Sequence, residues 1–169
     1  MSTEGKNTTS SRAKVLTIYF SRSGNTREIA NQIHQMVGGD IMEIQIVTPY
    51  PDDYNAVVKQ ANVELNSGYK PPLKTKIEDI GSYDVIFLGS PNWCQTIAPP
   101  VRSFLSQADL SGKFIAPFIT HGGGGSGRSV ADIAALCRDS TILDALVVRG
   151  GKPGKKAITE LLSKLEVRG

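Results

Sequence analysis

A largely apolar segment near the start of this chain leads through a short polar turn into a helical segment. Residues 15–20 read VLTIYF, with apolar side chains on both faces of a strand, which is typical of a strand inside a parallel sheet. Residues 21–26 read SRSGNT, and the apolar residues that follow at helical spacing are Ile29, Ile33, Met36 and Val37. A strand, turn and helix in this order need further strands and helices to cover them, so they favour an α/β fold.

Strand and helix patterns continue to alternate along the chain. Residues 41–47 alternate polar and apolar, as in a half-exposed edge strand, whereas residues 85–88 are continuously apolar, as in a central strand. Residues 114–120 and 145–148 complete five strands, the last of them uninterrupted. We therefore expect an α/β three-layer sandwich whose five-stranded parallel sheet has the order 2-1-3-4-5. Pro117 has no N–H to donate, so we expect a local bulge or an unpaired neighbour in the fourth strand.

Length and composition narrow the class of protein. The chain has 169 residues, of which we expect 1–12 to be a disordered tail or a remnant of cloning and 13–169 to form a single domain. The polar start and the lack of a membrane-length apolar run argue against a secretory signal and a membrane span. Cys94 and Cys137 suit a reducing cytoplasm, where we expect the protein to lie. A net charge of +3 without a basic and aromatic run argues against nucleic-acid binding.

The turn at residues 21–26 has the composition of an anion site. It lies where ligands bind in such sheets, outside the carboxyl end of a strand. The hydroxyls of Ser21, Ser23 and Thr26 and the N–H groups of a helix start can surround a phosphate, and Gly24 allows close approach. The alternative is an ordinary N-capped helix, because Ser, Asn and Thr also favour such turns.

The loop after the third strand, residues 89–96, contains the chain's single tryptophan, Trp93. An indole at a ligand-bearing strand end can stack on a flat aromatic ligand. The alternative is a side chain folded back on the edge of the sheet. The neighbouring Cys94 has no evident base or partner cysteine, so we interpret it as a small loop residue rather than a redox centre.

The loop after the fourth strand, residues 121–129, is rich in glycine. It matches the dinucleotide pattern G-x-G-x-x-G but lacks the acidic residue that should follow, and it nearly matches a P-loop but has Arg128 in place of lysine. We interpret the glycines as residues that let backbone N–H groups approach a ligand's ring edge; the alternative is a flexible lead-in to a helix. For His121, a ligand contact and a solvated loop position both stay open.

Taken together, the three strand ends resemble the flavodoxin family, over residues 14–167. Residues 21–26 match its pattern Thr/Ser-x-Thr/Ser-Gly-x-Thr for the phosphate of flavin mononucleotide (FMN), and the uninterrupted fifth strand is similar to the short-chain type. The resemblance implies a flavodoxin-like FMN-binding domain without a metal or a catalytic side chain. It implies phosphate contacts from Ser21, Ser23, Gly24, Asn25 and Thr26, ring contacts from Pro91, Asn92, Trp93 and Cys94, and contacts with the pyrimidine end of the ring from Gly122, Gly123, Gly124 and Gly125. Weaker candidates for cofactor contacts are Arg22, Thr120 and Gln95.

The resemblance implies an electron-transfer protein that carries electrons between redox partner proteins through bound FMN. The alternative is an FMN-dependent NAD(P)H:quinone or related flavin reductase, in which the long connection at residues 48–73 forms a wall with Tyr50 near the site. A phospho-receiver domain has the same strand order, but it needs acidic residues at strand ends that here read Phe20-Ser21 and Gly89-Ser90-Pro91. The pI of about 8.9 differs from the acidic surface usual for flavodoxins.

Overall fold

The computed structural model describes residues 14–150 and 155–168, so the tail expected at residues 1–12 lies outside the described residues. The strands are β1 (Val15–Tyr19), β2 (Asp40–Glu43), β3 (Val85–Trp93), β4 (Thr96–Ile97), β5 (Phe114–His121), β6 (Thr141–Ile142) and β7 (Leu146–Arg149). The helices are α1 (Asn25–Val37), α2 (Tyr54–Ser67), α3 (Pro99–Gln107), α4 (Ser129–Leu136) and α5 (Lys155–Arg168), with a 3₁₀-helix at Ile80–Ser82.

The sheet has the predicted order. Strands β2, β1, β3 and β5 lie side by side and parallel, and β6 and β7 both pair with the far edge of β5. Because β6 and β7 share the fifth position, the order corresponds to the expected 2-1-3-4-5. β4 is a short antiparallel addition to the end of β3. The parallel arrangement confirms the predicted fold class.

Pro117 marks the division of the fifth strand. Ile115 of β5 pairs with Ile142 of β6, and Phe118 of β5 pairs with Leu146 of β7. Two residues of β5 therefore lie opposite three residues of the neighbouring chain segment, which has one extra residue beside Pro117. The carbonyl of Ile115 accepts the N–H of Leu143, and Pro117, two residues on, faces the same side with no N–H to offer. The disturbance predicted at Pro117 is therefore present, but the extra residue lies in the neighbouring chain segment and not in β5. The predicted fifth strand, residues 145–148, corresponds to β7, and the short strand β6 before it was not predicted.

The edge strand β2 is shorter than the predicted 41–47. After Ile44, whose N–H donates to the carbonyl of Tyr19, the chain pairs with the later connection instead of with β1. The carbonyl of Gln45 accepts the N–H of Lys74, and Ile46 forms an isolated antiparallel bridge with Leu73. The first half of the alternating segment pairs with β1 as predicted, whereas its second half pairs with residues 73–74.

Helices cover both faces of the sheet and bury apolar side chains against it. On one face α3 and α4 bury Val101, Phe104 and Ile133 against the sheet. On the other face α1 buries Ile29 and Ile33, while α5 adds Ile158. Of the four apolar residues predicted at helical spacing in α1, Met36 is 40% exposed near the end of the helix. Within the described residues, no helix has the length and apolar composition needed to cross a membrane.

One close contact at the centre of the sheet gives a stability prediction. A Cβ added to Gly89 would lie 2.2 Å from two ring carbons of Phe118, which is fully buried. We expect Gly89→Ala to lower the free energy of unfolding by about 1–3 kcal/mol, since overpacking forces the ring or the strands to shift. Urea unfolding measures this, with Gly81→Ala as control because no atom lies within 4 Å of its added Cβ. Equal unfolding midpoints for the two variants would contradict the expectation.

Candidate cofactor site

The turn between β1 and α1 is held by one serine hydroxyl. Oγ of Ser21 accepts hydrogen bonds from the N–H groups of Gly24 at 3.1 Å and Arg27 at 3.2 Å. Gly24 has a φ of 99°, a left-handed conformation that favours glycine, and it directly precedes the helix. Ser21 therefore holds the turn together from inside, although the N-cap residue of α1 is Gly24, which has no side chain to cap the helix.

The same turn still offers hydrogen-bond donors. Among the described residues, the N–H groups of Ser23, Asn25 and Thr26 have no acceptor. They lie at the N-terminus of the 13-residue helix α1, where the helix dipole favours negative charge. The arrangement fits a phosphate, which needs several donors at one place.

A pair of buried threonine hydroxyls ties this turn to the end of β5. Oγ1 of Thr26 lies 2.8 Å from Oγ1 of Thr120, and both side chains are almost fully buried. One hydroxyl donates to the other, so one hydroxyl hydrogen of the pair is left for another acceptor.

Of the two arginines near the turn, Arg27 is paired with a carboxylate and Arg22 is not. Arg27 forms a salt bridge with Glu43 at 2.6 Å, and the same carboxylate accepts from the hydroxyl of Tyr19. Burial of Tyr19, together with the charge of Glu43, raises the pKa of that phenol. Arg22 instead donates to the backbone carbonyl of Asp52 at 2.6 Å, so no carboxylate in the described part of the chain neutralises it.

The ring-contact residues predicted after the third strand lie on a tight hairpin. Trp93 pairs with Thr96 across a two-residue turn, in which Cys94 and Gln95 have φ values of 56° and 72°. Such turns are usually made by Asn and Gly, so these two side chains hold an uncommon conformation that neighbouring contacts must maintain. Burial raises the pKa of the Cys94 thiol, which keeps it protonated and weakly nucleophilic at neutral pH.

The glycine-rich loop supplies those neighbouring contacts. The carbonyl of Gln95 accepts the N–H of Arg128 at 2.6 Å, and a Cβ on Gly127 would lie 2.5 Å from that carbonyl oxygen. Asn92 donates through Nδ2 to the carbonyl of Gly125 at 2.6 Å. The loop and the hairpin are therefore in direct contact.

His121 forms hydrogen bonds within its own loop, which neither of the two alternatives for it described. Its Nδ1 accepts the N–H groups of Gly123 at 3.0 Å and Gly125 at 3.1 Å, so the ring folds back on its own loop. Of the predicted glycine donors, Gly122 and Gly124 keep N–H groups with no acceptor among the described residues.

Trp93 belongs to an aromatic cluster with Phe20 and Tyr50. Its ring meets Phe20 edge-on at 5.4 Å and Tyr50 at 5.1 Å between centroids. The hydroxyl of Tyr50 donates to Oε1 of Glu64 at 2.7 Å, which joins the cluster to α2. Trp93 is thus anchored on one side by packing, while it remains only partly buried.

A cavity of about 390 Å³ lies between the hairpin and α2. This volume is within the range of small-molecule sites. The predicted site residues that line it are Asn92, Trp93 and Cys94, together with the weaker candidates Arg22 and Gln95. Oδ1 of Asn92 is buried without a partner among the described residues, so it can accept from a ligand N–H.

The other predicted residues lie outside the lining of this cavity. Gly122, Gly123, Gly124 and Gly125 lie in the loop that supports the hairpin, and the phosphate turn reaches the cavity through Arg22. A larger cavity of about 530 Å³ lies on the other side of Arg22, but no hairpin residue lines it. The connection at residues 48–73, which the reductase alternative expected to form a wall, does so through α2. The sequence did not identify the residues of α2 that line the cavity, which are Tyr54, Val57, Val58, Ala61 and Asn62.

The hydrogen bond between Tyr50 and Glu64 gives a second prediction. Burial, with Glu64 beside it, raises the pKa of Tyr50 above its ordinary value of 10.0. Above pH 10 the unfolded chain therefore loses this proton before the folded protein does, and stability falls as the pH rises. We expect Tyr50→Phe to lower the free energy of unfolding by about 1–3 kcal/mol at pH 7 and to reduce this alkaline loss.

Urea unfolding at pH 7 and at rising alkaline pH measures both effects. The matched control is Tyr54→Phe, because Tyr54 is 69% exposed. Part of the alkaline loss remains in both variants, since the pKa of Tyr83 is also raised, to about 12, by its hydrogen bond to Asp40. A Tyr50→Phe variant as stable as the control at every pH would contradict the account.

Comparison with known proteins places the chain in a family. The family model for flavodoxin matches residues 14–165. A candidate flavoprotein of Bacteroides eggerthii is 31% identical with a TM-score of 0.81, over 90% of this chain and 97% of that one. A flavoprotein of Lactobacillus acidophilus, solved in complex with FMN, is 24% identical with a TM-score of 0.70, over 82% of this chain and 94% of that one, and shares the fold.

A curated relative carries the name of an enzyme. The NAD(P)H dehydrogenase (quinone) of Azorhizobium caulinodans is 31% identical over 125 residues, which is 66% of this chain and 60% of the relative. This chain thus spans only part of the length of that relative. The family match, by contrast, covers nearly the whole chain and agrees with the sheet order and the strand-end turn, so the chain belongs to the flavodoxin family.

Proposed function

We propose that this chain binds FMN and transfers electrons through it between redox partners. The observation that supports this best is the cavity between the hairpin and α2, because Arg22 connects it to the donor-rich turn at the start of α1. FMN supplies the redox chemistry when it is bound. The residues of the chain bind, orient and enclose it.

The phosphate end of FMN fits the turn. The N–H groups of Ser23, Asn25 and Thr26 need an acceptor, and a phosphate dianion provides several. Arg22 adds a positive charge that no described carboxylate neutralises. The fit of a neutral sugar without phosphate would be poorer, since it leaves these donors unpaired.

The ring end of FMN fits the cavity. Isoalloxazine is flat and largely apolar and carries one imide N–H. The apolar side chains of Val57, Val58 and Ala61 offer a matching wall, and Oδ1 of Asn92 offers an acceptor. The L. acidophilus flavoprotein, which has this fold and binds FMN, supports the assignment.

The cavity also fits electron exchange without proton transfer by the protein. Its described titratable groups are Arg22, Tyr54 and Cys94, and burial keeps the thiol protonated. No carboxylate or imidazole is among the described lining residues. The side chains present therefore position the cofactor rather than act as acids or bases.

A second candidate is an FMN-dependent NAD(P)H:quinone reductase. The wall formed by α2 faces the hairpin across the cavity, and a space with two walls suits a small substrate better than a protein partner. The name of the A. caulinodans relative points the same way. This chain spans 60% of that relative, so the reductase activity is a proposal for this chain.

Removal of one threonine hydroxyl tests the phosphate assignment. We expect Thr26→Val to weaken FMN binding by about 1–2 kcal/mol, because the turn at residues 21–26 loses its buried hydroxyl and only Thr120, at the end of β5, keeps one. Calorimetry with the apoprotein measures the affinity. The matched control is Thr17→Val in β1, whose buried hydroxyl has no partner among the described residues and lies outside both cavities. Equal affinities for the two variants would count against the phosphate site.

Reduction of the FMN complex separates the two candidate functions. For a carrier we expect two electrons to enter in resolved steps during anaerobic titration with dithionite, followed by absorbance. We also expect NAD(P)H oxidation with added quinone to stay at the rate given by the same concentration of free FMN. Turnover well above that control would reject the function of an electron carrier and support that of a reductase.

A further inference from the structure

We propose that His121 is a positioning residue for the cofactor site, acting through the glycine-rich loop and the hairpin. The link to FMN rests on the proposed function, whereas the effect on the loop is independent of it. The sequence singled out His121 at a strand end without assigning it a task. The structure gives it three described connections to the site: two hydrogen bonds from loop N–H groups and, through Gly125, a third to Asn92.

The hydrogen bonds fix the state of the imidazole ring. Both the N–H of Gly123 and the N–H of Gly125 donate to Nδ1, at 3.0 and 3.1 Å. A ring nitrogen accepts only when it carries no proton, so the proton of the neutral ring must be on Nε2. Nδ1 thus accepts two N–H groups of the loop at once and holds the loop close to the imidazole ring.

The loop depends on this acceptor because residues 122–125 have no side chains that could hold the loop in place. Residues 122–125 are all glycine, and Gly123 and Gly125 have φ values of 146° and 72°. Glycine segments have the largest conformational freedom in an unordered chain, so their ordering opposes ligand binding unless something fixes them beforehand. His121 fixes two of the four N–H groups from within.

A short chain of contacts leads from His121 to the cavity. Gly125, held through its N–H, accepts the side-chain amide of Asn92 through its carbonyl at 2.6 Å. That contact orients Asn92 so that Oδ1 is the atom left without a partner in the described structure. Loss of the imidazole acceptor should therefore loosen the loop, release Asn92 and weaken FMN binding.

Two variants and a control test the proposal. In His121→Asn, Oδ1 lies the same number of bonds from the backbone as Nδ1 and can accept the same N–H groups. In His121→Phe, a ring of similar size has no acceptor. The control is His34→Phe on α1, which removes the chain's second imidazole from its contact with the carbonyl of Gly39. Amide hydrogen exchange of Gly123 and Gly125 reports on the loop, and calorimetry with FMN reports on the site.

We expect faster exchange at both glycines in His121→Phe and an FMN affinity about tenfold lower, on the scale of one lost hydrogen bond. Asn at position 121 should restore both, and the control should match the wild type. Wild-type exchange and affinity in His121→Phe, or failure of Asn to restore them, would overturn the proposal.

A measurement on the unmodified protein covers the case in which His121→Phe does not fold. Nitrogen-15 shifts of the wild-type imidazole at neutral pH should show the proton on Nε2, and a proton on Nδ1 would overturn the proposal. If the wild type binds no FMN, the proposed function fails and the cofactor part of this inference fails with it. If the wild type binds FMN and His121→Phe binds it equally well, only this inference fails.

Discussion

Parallel pairing of β3 with β1 and with β5 determines where every candidate functional loop of this molecule emerges. Tyr19 of β1 lies beside Gly89 of β3, which lies beside Phe118 of β5, so the three strands run in one direction in register. Their carboxyl ends therefore meet at one edge of the sheet. The absence of a side chain at Gly89 makes room for the Phe118 ring and allows this packing. Without that arrangement the phosphate turn, the hairpin and the glycine-rich loop would not be neighbours.

At that edge the site relies on backbone and neutral donors more than on charge. The charge of Arg27 is neutralised by Glu43, and the hydroxyl oxygen of Ser21 accepts hydrogen bonds within the turn. The available donors are backbone N–H groups at a helix start, which are fixed in direction and need no reorganisation when an anion arrives. Such a site can distinguish a phosphate from a neutral group without a strongly basic surface.

Sequence patterns predicted the features of the fold that depend on residues close together in the chain. The turn at residues 21–26 and the disturbance at Pro117 were predictable because each follows from a residue's own backbone preference. The hairpin was not, because Cys94 and Gln95 are not the residues that usually make such a turn. Contacts from Arg128 and Gly127 maintain it, and these come from a distant part of the chain. The position of α2 over the hairpin is also tertiary. The hydrogen bonds of His121 to Gly123 and Gly125 are local, but they follow no helical or strand periodicity that the sequence could reveal.

The central claim is that one site joins the phosphate turn to the hairpin, and a titration of the apoprotein with FMN tests it most directly. The chain has a single tryptophan, Trp93, so its fluorescence reports on the hairpin, while the amide shifts of Ser23, Asn25 and Thr26 report on the turn. The account predicts that FMN quenches Trp93 and shifts all three amides with one affinity, and that riboflavin binds far more weakly. FMN at micromolar concentration that leaves the fluorescence and the amides unchanged would contradict it.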